Sequence, residues 1–309
     1  MLQKTKFIDP LVDFAFKKIF CTEPNKDLLI AFLNGVFRGS KHITDLIYSK
    51  NEHPGDTAAE GGAIFDLLCI GDKGENFIIE VQRGKQEHFK QRTLFYTSRL
   101  ISDQAPKGRR ADWAYNVTEV YLIAILEDFV LEDSPADSYI HDVSLCYNQS
   151  GKIFNHQLGY TYIELRKFVK TAEELKDDLD RWLYILKNMS SMDKIPVYLR
   201  KPIFEKLFNI AEYSNLTKED RMLYDSSLKR KWDNKNVLDY AIKEGRAEGK
   251  LQGELEGRIE GKIEGRIEGR IVGITEGKLE VAAEMKREGM LIAQIAKLTK
   301  LSIEEIEKL

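Results

Sequence analysis

The chain has 309 residues, 43% hydrophobic and 31% charged, enough for one large domain or two smaller ones with buried cores. Lys and Arg number 47 against 50 Asp and Glu, a formal net charge of −3 with a pI near 6.1. That balance excludes a globally basic nucleic-acid coat and leaves any such contact to a local patch. The three cysteines, Cys21, Cys69 and Cys146, are too few and too scattered for a disulfide framework or a zinc cluster, which fits a reducing, cytoplasmic compartment. The amino terminus has no apolar signal core, and the longest clean apolar run, Leu122 to Leu126, is far too short for a bilayer, so membrane and secreted classes drop out.

Residues 1 to 165 mix helix and strand signals. Asp9-Pro10 opens a helical pattern through Leu11, Phe14, Ala15, Ile19 and Phe20, with Pro10 in the first turn. A second helix is predicted from Asn25 to about Phe37, with Leu28, Leu29, Phe32, Leu33 and Val36 on one face and Asn25 as its N-cap. After a Gly- and Pro-containing loop (51–62), the apolar runs AIFDLLCI (63–70) and NFIIEVQ (76–82) flank Gly71-Asp72-Lys73-Gly74, a β-hairpin signal. Both runs are apolar on both faces, which predicts central strands covered on both sides. A helix follows over about Gln86 to Gln104, then strands over Glu119 to Leu126 and Ser138 to Tyr147. This order is an α/β or α+β layer pattern.

With the turn centred on Lys73, Asp66 and Glu80 fall opposite one another, their Cβ atoms roughly 5 Å apart. Gln82 shares their face, being two residues beyond Glu80. A slip of one residue would separate all three. Two carboxylates so close repel by about 3 kcal/mol at an effective dielectric of 20. A raised pKa or a bound cation relieves this, and an all-oxygen site suits a hard divalent ion. Such an ion can activate water against a phosphodiester, and Gln82 would orient that water without serving as its base. The competing reading is that each acid is an edge residue or is paired with Arg or Lys.

The segments DPLVDFAFKKIF, GAIFDLLCI, NFIIEVQ, QRTLFYTSRL and VYLIAIL, in this order, resemble the recombination-promoting nucleases, a transposase-like family of the PD-(D/E)XK nuclease superfamily. The resemblance implies a restriction-endonuclease-like mixed sheet flanked by helices and an Mg²⁺-dependent DNA endonuclease, with Ca²⁺ or Mn²⁺ as other candidate ions. It places the superfamily's Asp on Asp66 and its (D/E)xK tripeptide on Glu80-Val81-Gln82, with glutamine where the pattern has lysine. It adds Asp13 as a helper acid from the first helix. Lys17, one turn on, is a candidate phosphate contact, or else the partner of Asp13 in a solvated i,i+4 pair. Arg92 and Tyr96 match the family's Arg-x-x-x-Tyr, with Arg92 a candidate phosphate ligand, or else an Arg–carboxylate brace beside a core tyrosine. Lys107-Gly108-Arg109-Arg110 is a small basic loop, a weak DNA contact by itself or a solvated surface loop.

Residues 166–242 read as a helical extension, with helices from Thr171, over Pro202 to Ser214, and over Lys218 to Trp232, and no evident chemistry. From Gly245 to Gly277 glycine recurs every fourth residue. Residues 243–278 are either a long helix, whose glycine stripe invites close packing of another copy and so a homo-oligomer, or a flexible linker of balanced charge. Residues 279–309 read as short helices resembling a helix-turn-helix, with Ser302 as an N-cap. Glu304, Glu305 and Glu307 carry the wrong sign for a major groove, which favours a helical cap or oligomerisation element. The leading expectation is a metal-dependent DNA endonuclease promoting recombination. The alternative is a catalytically weak nuclease-fold protein acting as an oligomeric DNA-binding or scaffolding module.

Overall fold

The computed structural model describes residues 5–50, 52–53, 63–105 and 114–309. The chain divides into two compact units, residues 1–231 and 232–309.

In the first unit, α1 (Asp13–Phe20) and α2 (Lys26–Phe37) precede β1 (Leu46–Tyr48). A two-residue ladder, β2 (Glu52–His53) with β3 (Ala63–Ile64), stands apart from the main sheet. Then come β4 (Leu67–Gly71), β5 (Asn76–Gln82), α3 (Phe89–Asp103), β6 (Val120–Leu126), β7 (Ile140–Cys146) and β8 (Ile153–Glu164). Helices α4 (Asp178–Asn188) and α5 (Pro202–Ala211) follow, and α6 runs over Lys218–Arg287. The sheet has six strands in the order β1-β4-β5-β6-β8-β7. Strands β5, β6 and β8 are parallel, and the β1–β4, β4–β5 and β7–β8 pairs are antiparallel. This is a mixed α/β sheet with helices on both faces. Leu67, Cys69, Phe77 and Ile79 join the core built with Phe20, Phe32, Trp182 and Phe204 of the α1, α2, α4 and α5 layer. Leu68, Ile78 and Leu122, on the opposite face, pack with Phe89 and Leu100 of α3.

The β4–β5 register is the one a turn centred on Lys73 dictates: Leu67 opposes Ile79, and Cys69 opposes Phe77. The three-residue loop requires a left-handed residue, and Gly74 supplies it at φ +84°. Gly74 N–H donates to the Gly71 carbonyl at 3.0 Å, and Gly71 N–H to the Glu75 carbonyl at 2.8 Å.

Several predicted boundaries move. Helix α1 starts at Asp13, after a turn that contains Pro10. Asn25 makes no side-chain cap on α2, because its amide donates to the Lys18 carbonyl at 3.1 Å instead. The run 63–70 is not one strand, since it breaks at Phe65-Asp66 between β3 and β4. Thr171 forms its capping box on a single 3₁₀ turn, and the α-helix starts only at Asp178, capped by Asp177. The helix starting at Lys218 does not stop at Trp232. Strand β8, which lies between β6 and β7, has no counterpart among the predicted elements.

In the second unit, the end of α6 packs with α7 (Ile292–Thr299) and α8 (Ile303–Glu307) around buried Ala282, Ile295, Leu301 and Ile306. The predicted helix over 279–288 is the last part of α6, which ends where Gly289 turns left-handed at φ +81°. Ser302 caps α8 through a reciprocal capping box with Glu305. No helix among the described residues is long and apolar enough to cross a membrane.

Candidate active site

Asp66 lies one residue before β4, where the ladder to β5 has just ended. Its carboxylate replaces the missing ladder bond: Val81 N–H donates to Asp66 Oδ2 at 2.7 Å. In return, Asp66 N–H donates to Glu80 Oε1 at 3.3 Å. The two acids are therefore fixed to each other's strand through the backbone. Glu80 is 5% exposed and sits opposite Ala124 of β6. Burial pushes the Asp66 carboxyl above its ordinary value, against the lowering hydrogen bond from Val81. Burial, and then the charge of Asp66, push Glu80 up to about 8. A buried pair raised in this way holds a proton at neutrality or needs a cation.

Gln82 lies two residues beyond Glu80 with both ends of its amide engaged. Its oxygen accepts from Arg92 Nη2 at 2.7 Å, and its nitrogen donates to the Gly84 carbonyl at 3.0 Å. Arg92 also donates to Gln86, stands 3.9 Å from Glu80 Oε2, and lies over the rings of Phe89 and Tyr96. Its Nε is buried without a hydrogen-bond partner among the described residues. Tyr96 packs edge-on against Phe65 at 5.1 Å. Arg92 is thus both near the acids and braced, which joins the two readings of the sequence.

Asp66 opens onto a cleft of about 590 Å³ between α1 and the first turns of α6, lined by Asp13, Lys17, Lys18, Cys21, Tyr48, Asp220, Leu223, Ser227 and Arg230 among others. Asp13 and Lys17 line this cleft, exposed and paired with each other at 2.8 Å. Arg109 and Arg110 lie outside the described residues.

Sequence reasoning missed the contribution of α6. Lys18 Nζ bridges to Asp220 Oδ2 at 2.8 Å, and Tyr224 Oη accepts the Asp9 N–H at 2.9 Å. Lys231 Nζ lies between Asp9 Oδ2, at 2.8 Å, and Glu127 Oε1, at 2.5 Å. Glu127 follows directly on β6, and its N–H donates to the Gln82 carbonyl at 2.9 Å. No local signal marks these partners, since each pair spans more than a hundred residues.

A family model described as PD-(D/E)XK nuclease family transposase matches residues 10–241. The chain belongs to this family. The match takes in the sheet, the acid pair, α4 and α5, and also α1 and the start of α6, the two helices that line the cleft. No curated protein and no solved structure matches the chain. PD-(D/E)XK nucleases generally use divalent metal ions. Among the described residues no group of three or more His, Cys, Asp or Glu gathers to form a metal cage. The Asp66–Glu80 pair still fits such an ion. Mg²⁺ is held by one or two carboxylates together with water and substrate phosphate, not by an all-protein cage.

Proposed function

We propose that this chain is a divalent-metal-dependent DNA endonuclease of the recombination-promoting type. Asp66 and Glu80 would hold the ion, Mg²⁺ first and Mn²⁺ or Ca²⁺ as substitutes. The observation that carries the reading is the pair itself: two carboxylates tied to each other's backbone and raised by burial, beside a cleft with basic residues. When bound, such an ion supplies charge neutralisation at the phosphodiester and an acidified water.

The remaining roles belong to the chain's own groups. Arg92 holds the Gln82 amide in one orientation, so the amide is a positioning group at the site's edge. It cannot take the proton of the attacking water, which would leave to bulk hydroxide or solvent. Lys17 can exchange its exposed partner Asp13 for a phosphate at little cost, since surface pairs contribute little. Asp13 then faces the cleft as the helper acid. Tyr96 keeps the Arg92 face in place, and Arg109 and Arg110 add basic charge for DNA. The repeat 243–278, with Ile259, Ile263, Ile267 and Ile271 exposed along it, is read as a self-associating helix that makes the nuclease a homo-oligomer.

The test is nicking of supercoiled plasmid, with and without Mg²⁺, by the wild type, Asp66→Ala and Glu80→Gln. Metal-dependent nicking lost in both variants is expected. Equal nicking by all three would sink the reading. A folded wild type that binds DNA without cutting it would favour the second reading, a nuclease-fold scaffold. The observation on that side is Gln82, standing where the superfamily has lysine and with its amide already engaged at both ends.

A further inference from the structure

The charges lining the Asp66 cleft nearly pair off. Lys17 stands on Asp13 and Lys18 on Asp220, each at 2.8 Å. Arg230, exposed on α6, makes no ion pair or hydrogen bond among the described residues. Leu223, Ser227 and Arg230 follow one another at helical spacing, so a single face of α6 forms this wall.

The backbone beneath Arg230 is firmly held. The neighbouring Lys231 is clamped between Asp9 and Glu127, and its carbonyl accepts from Arg83. Phe14 N–H of α1 reaches Ser227 Oγ at 3.5 Å, and Tyr224 is buried under Asp9. An exposed guanidinium on a firmly held backbone, lining the same cleft as Asp66, offers a cation to an anionic ligand. The planar fork matches two oxygens of a phosphate at once. Two more cations, Lys17 and Lys18, line the cleft in ion pairs, and Leu223 and Tyr48 add apolar surface to it. That combination of several cations and apolar surface suits a polyanionic strand better than a single small anion.

We propose that Arg230 is the phosphate clamp of this site: its guanidinium holds a phosphodiester of the nucleic-acid strand that enters the cleft over Asp66. The proposal rests on the nuclease reading and adds a positioning residue from outside the sheet core.

The experiment is binding of a fluorescently labelled DNA duplex by the full-length chain in EDTA, across a range of KCl. It compares the wild type with Arg230→Ala, Arg230→Lys and Lys229→Ala, the last an exposed neighbour that does not line the cleft. Arg230→Ala should weaken binding about tenfold or more, as expected for losing a hydrogen bond to a charged group. It should also flatten the slope of log K against log salt by about 0.9, one phosphate contact. Arg230→Lys should keep the slope and recover part of the affinity, because the charge remains and the fork does not. It also serves if the alanine variant fails to fold. Lys229→Ala should leave both nearly unchanged.

Unchanged affinity and slope in Arg230→Ala would overturn the clamp while leaving plasmid nicking, and so the nuclease reading, intact. Loss of binding in Arg230→Ala from a wild type that binds but never nicks would support the clamp and defeat the nuclease. A wild type that neither binds nor nicks would defeat both.

Discussion

Arg92 Nη2 donates to the Gln82 amide oxygen at 2.7 Å, so the glutamine stands where a lysine would meet a guanidinium. Gln82→Lys therefore places two cations in contact, with Glu80 Oε2 3.9 Å from Arg92 as the nearby counter-charge. Gln82→Lys alone should lower the melting temperature by a few degrees, about 1–2 kcal/mol, and should not raise nicking. Adding Arg92→Ala should recover part of the stability. A double-mutant cycle measured by thermal denaturation checks this, and additive effects would show that the two residues do not interact.

Glu80 carries a pH signature of definite sign. Its folded pKa, about 8, lies above the ordinary glutamate value, so the folded chain keeps a proton that the unfolded chain releases. Stability should therefore fall as pH rises between the ordinary glutamate value and about 8, when no divalent ion is present. Glu80→Gln removes the charge and keeps the shape. It should match the wild type near pH 5 and exceed it near pH 9, by about 1–2 kcal/mol. Urea denaturation in EDTA at both values reads the difference. A wild type more stable than Glu80→Gln at the alkaline end would contradict the buried-pair account.

Divalent ions should act in the opposite direction. If Asp66 and Glu80 hold a divalent ion as proposed, it would displace the proton, so Mg²⁺ or Ca²⁺ should raise the melting temperature more at pH 8.5 than at pH 6. At a concentration of about 100 Kd the gain is roughly 2.7 kcal/mol. EDTA should reverse it, and Asp66→Ala should abolish it. Differential scanning calorimetry with and without the ion decides the point.

Much of this site is legible in the sequence because short-range geometry fixes it. A GDKG turn that needs a left-handed residue, with a glycine in that place, sets the register, and a period of two then assigns Asp66 and Glu80. The break at Asp66 is not legible, because an apolar run reads as continuous strand whether its acid points to solvent or takes a backbone N–H from the neighbouring strand, as Asp66 does from Val81. Strand β8 is hidden by polar residues and by Gly159, which sits against the Tyr121 ring so closely that a Cβ would fall 2.9 Å from it. Asn25 is a good cap by residue type, but the Lys18 carbonyl captured its side chain. Lys18, Arg230 and Lys231 look like ordinary helix-surface cations until the fold brings α6 back onto residues some two hundred positions earlier.

Lys231 offers the sharpest test of that long-range closure. Its ammonium serves Asp9 and Glu127 together, with its side chain only 12% exposed. Glu127 is already raised by burial despite this partner, and its Oε2 is buried without a hydrogen bond among the described residues. Lys231→Met keeps the length and removes the charge, leaving two acids facing each other. The loss should be about 2–3 kcal/mol, the buried-pair cost discounted for partial exposure. Because Glu127 N–H is bonded to the Gln82 carbonyl, the damage should reach the site, and nicking should fall along with stability. Adding Glu127→Gln removes one of the stranded charges and should return roughly half of the stability. If Lys231→Met melted with the wild type, the ion cluster would not be what holds the start of α6 against the sheet.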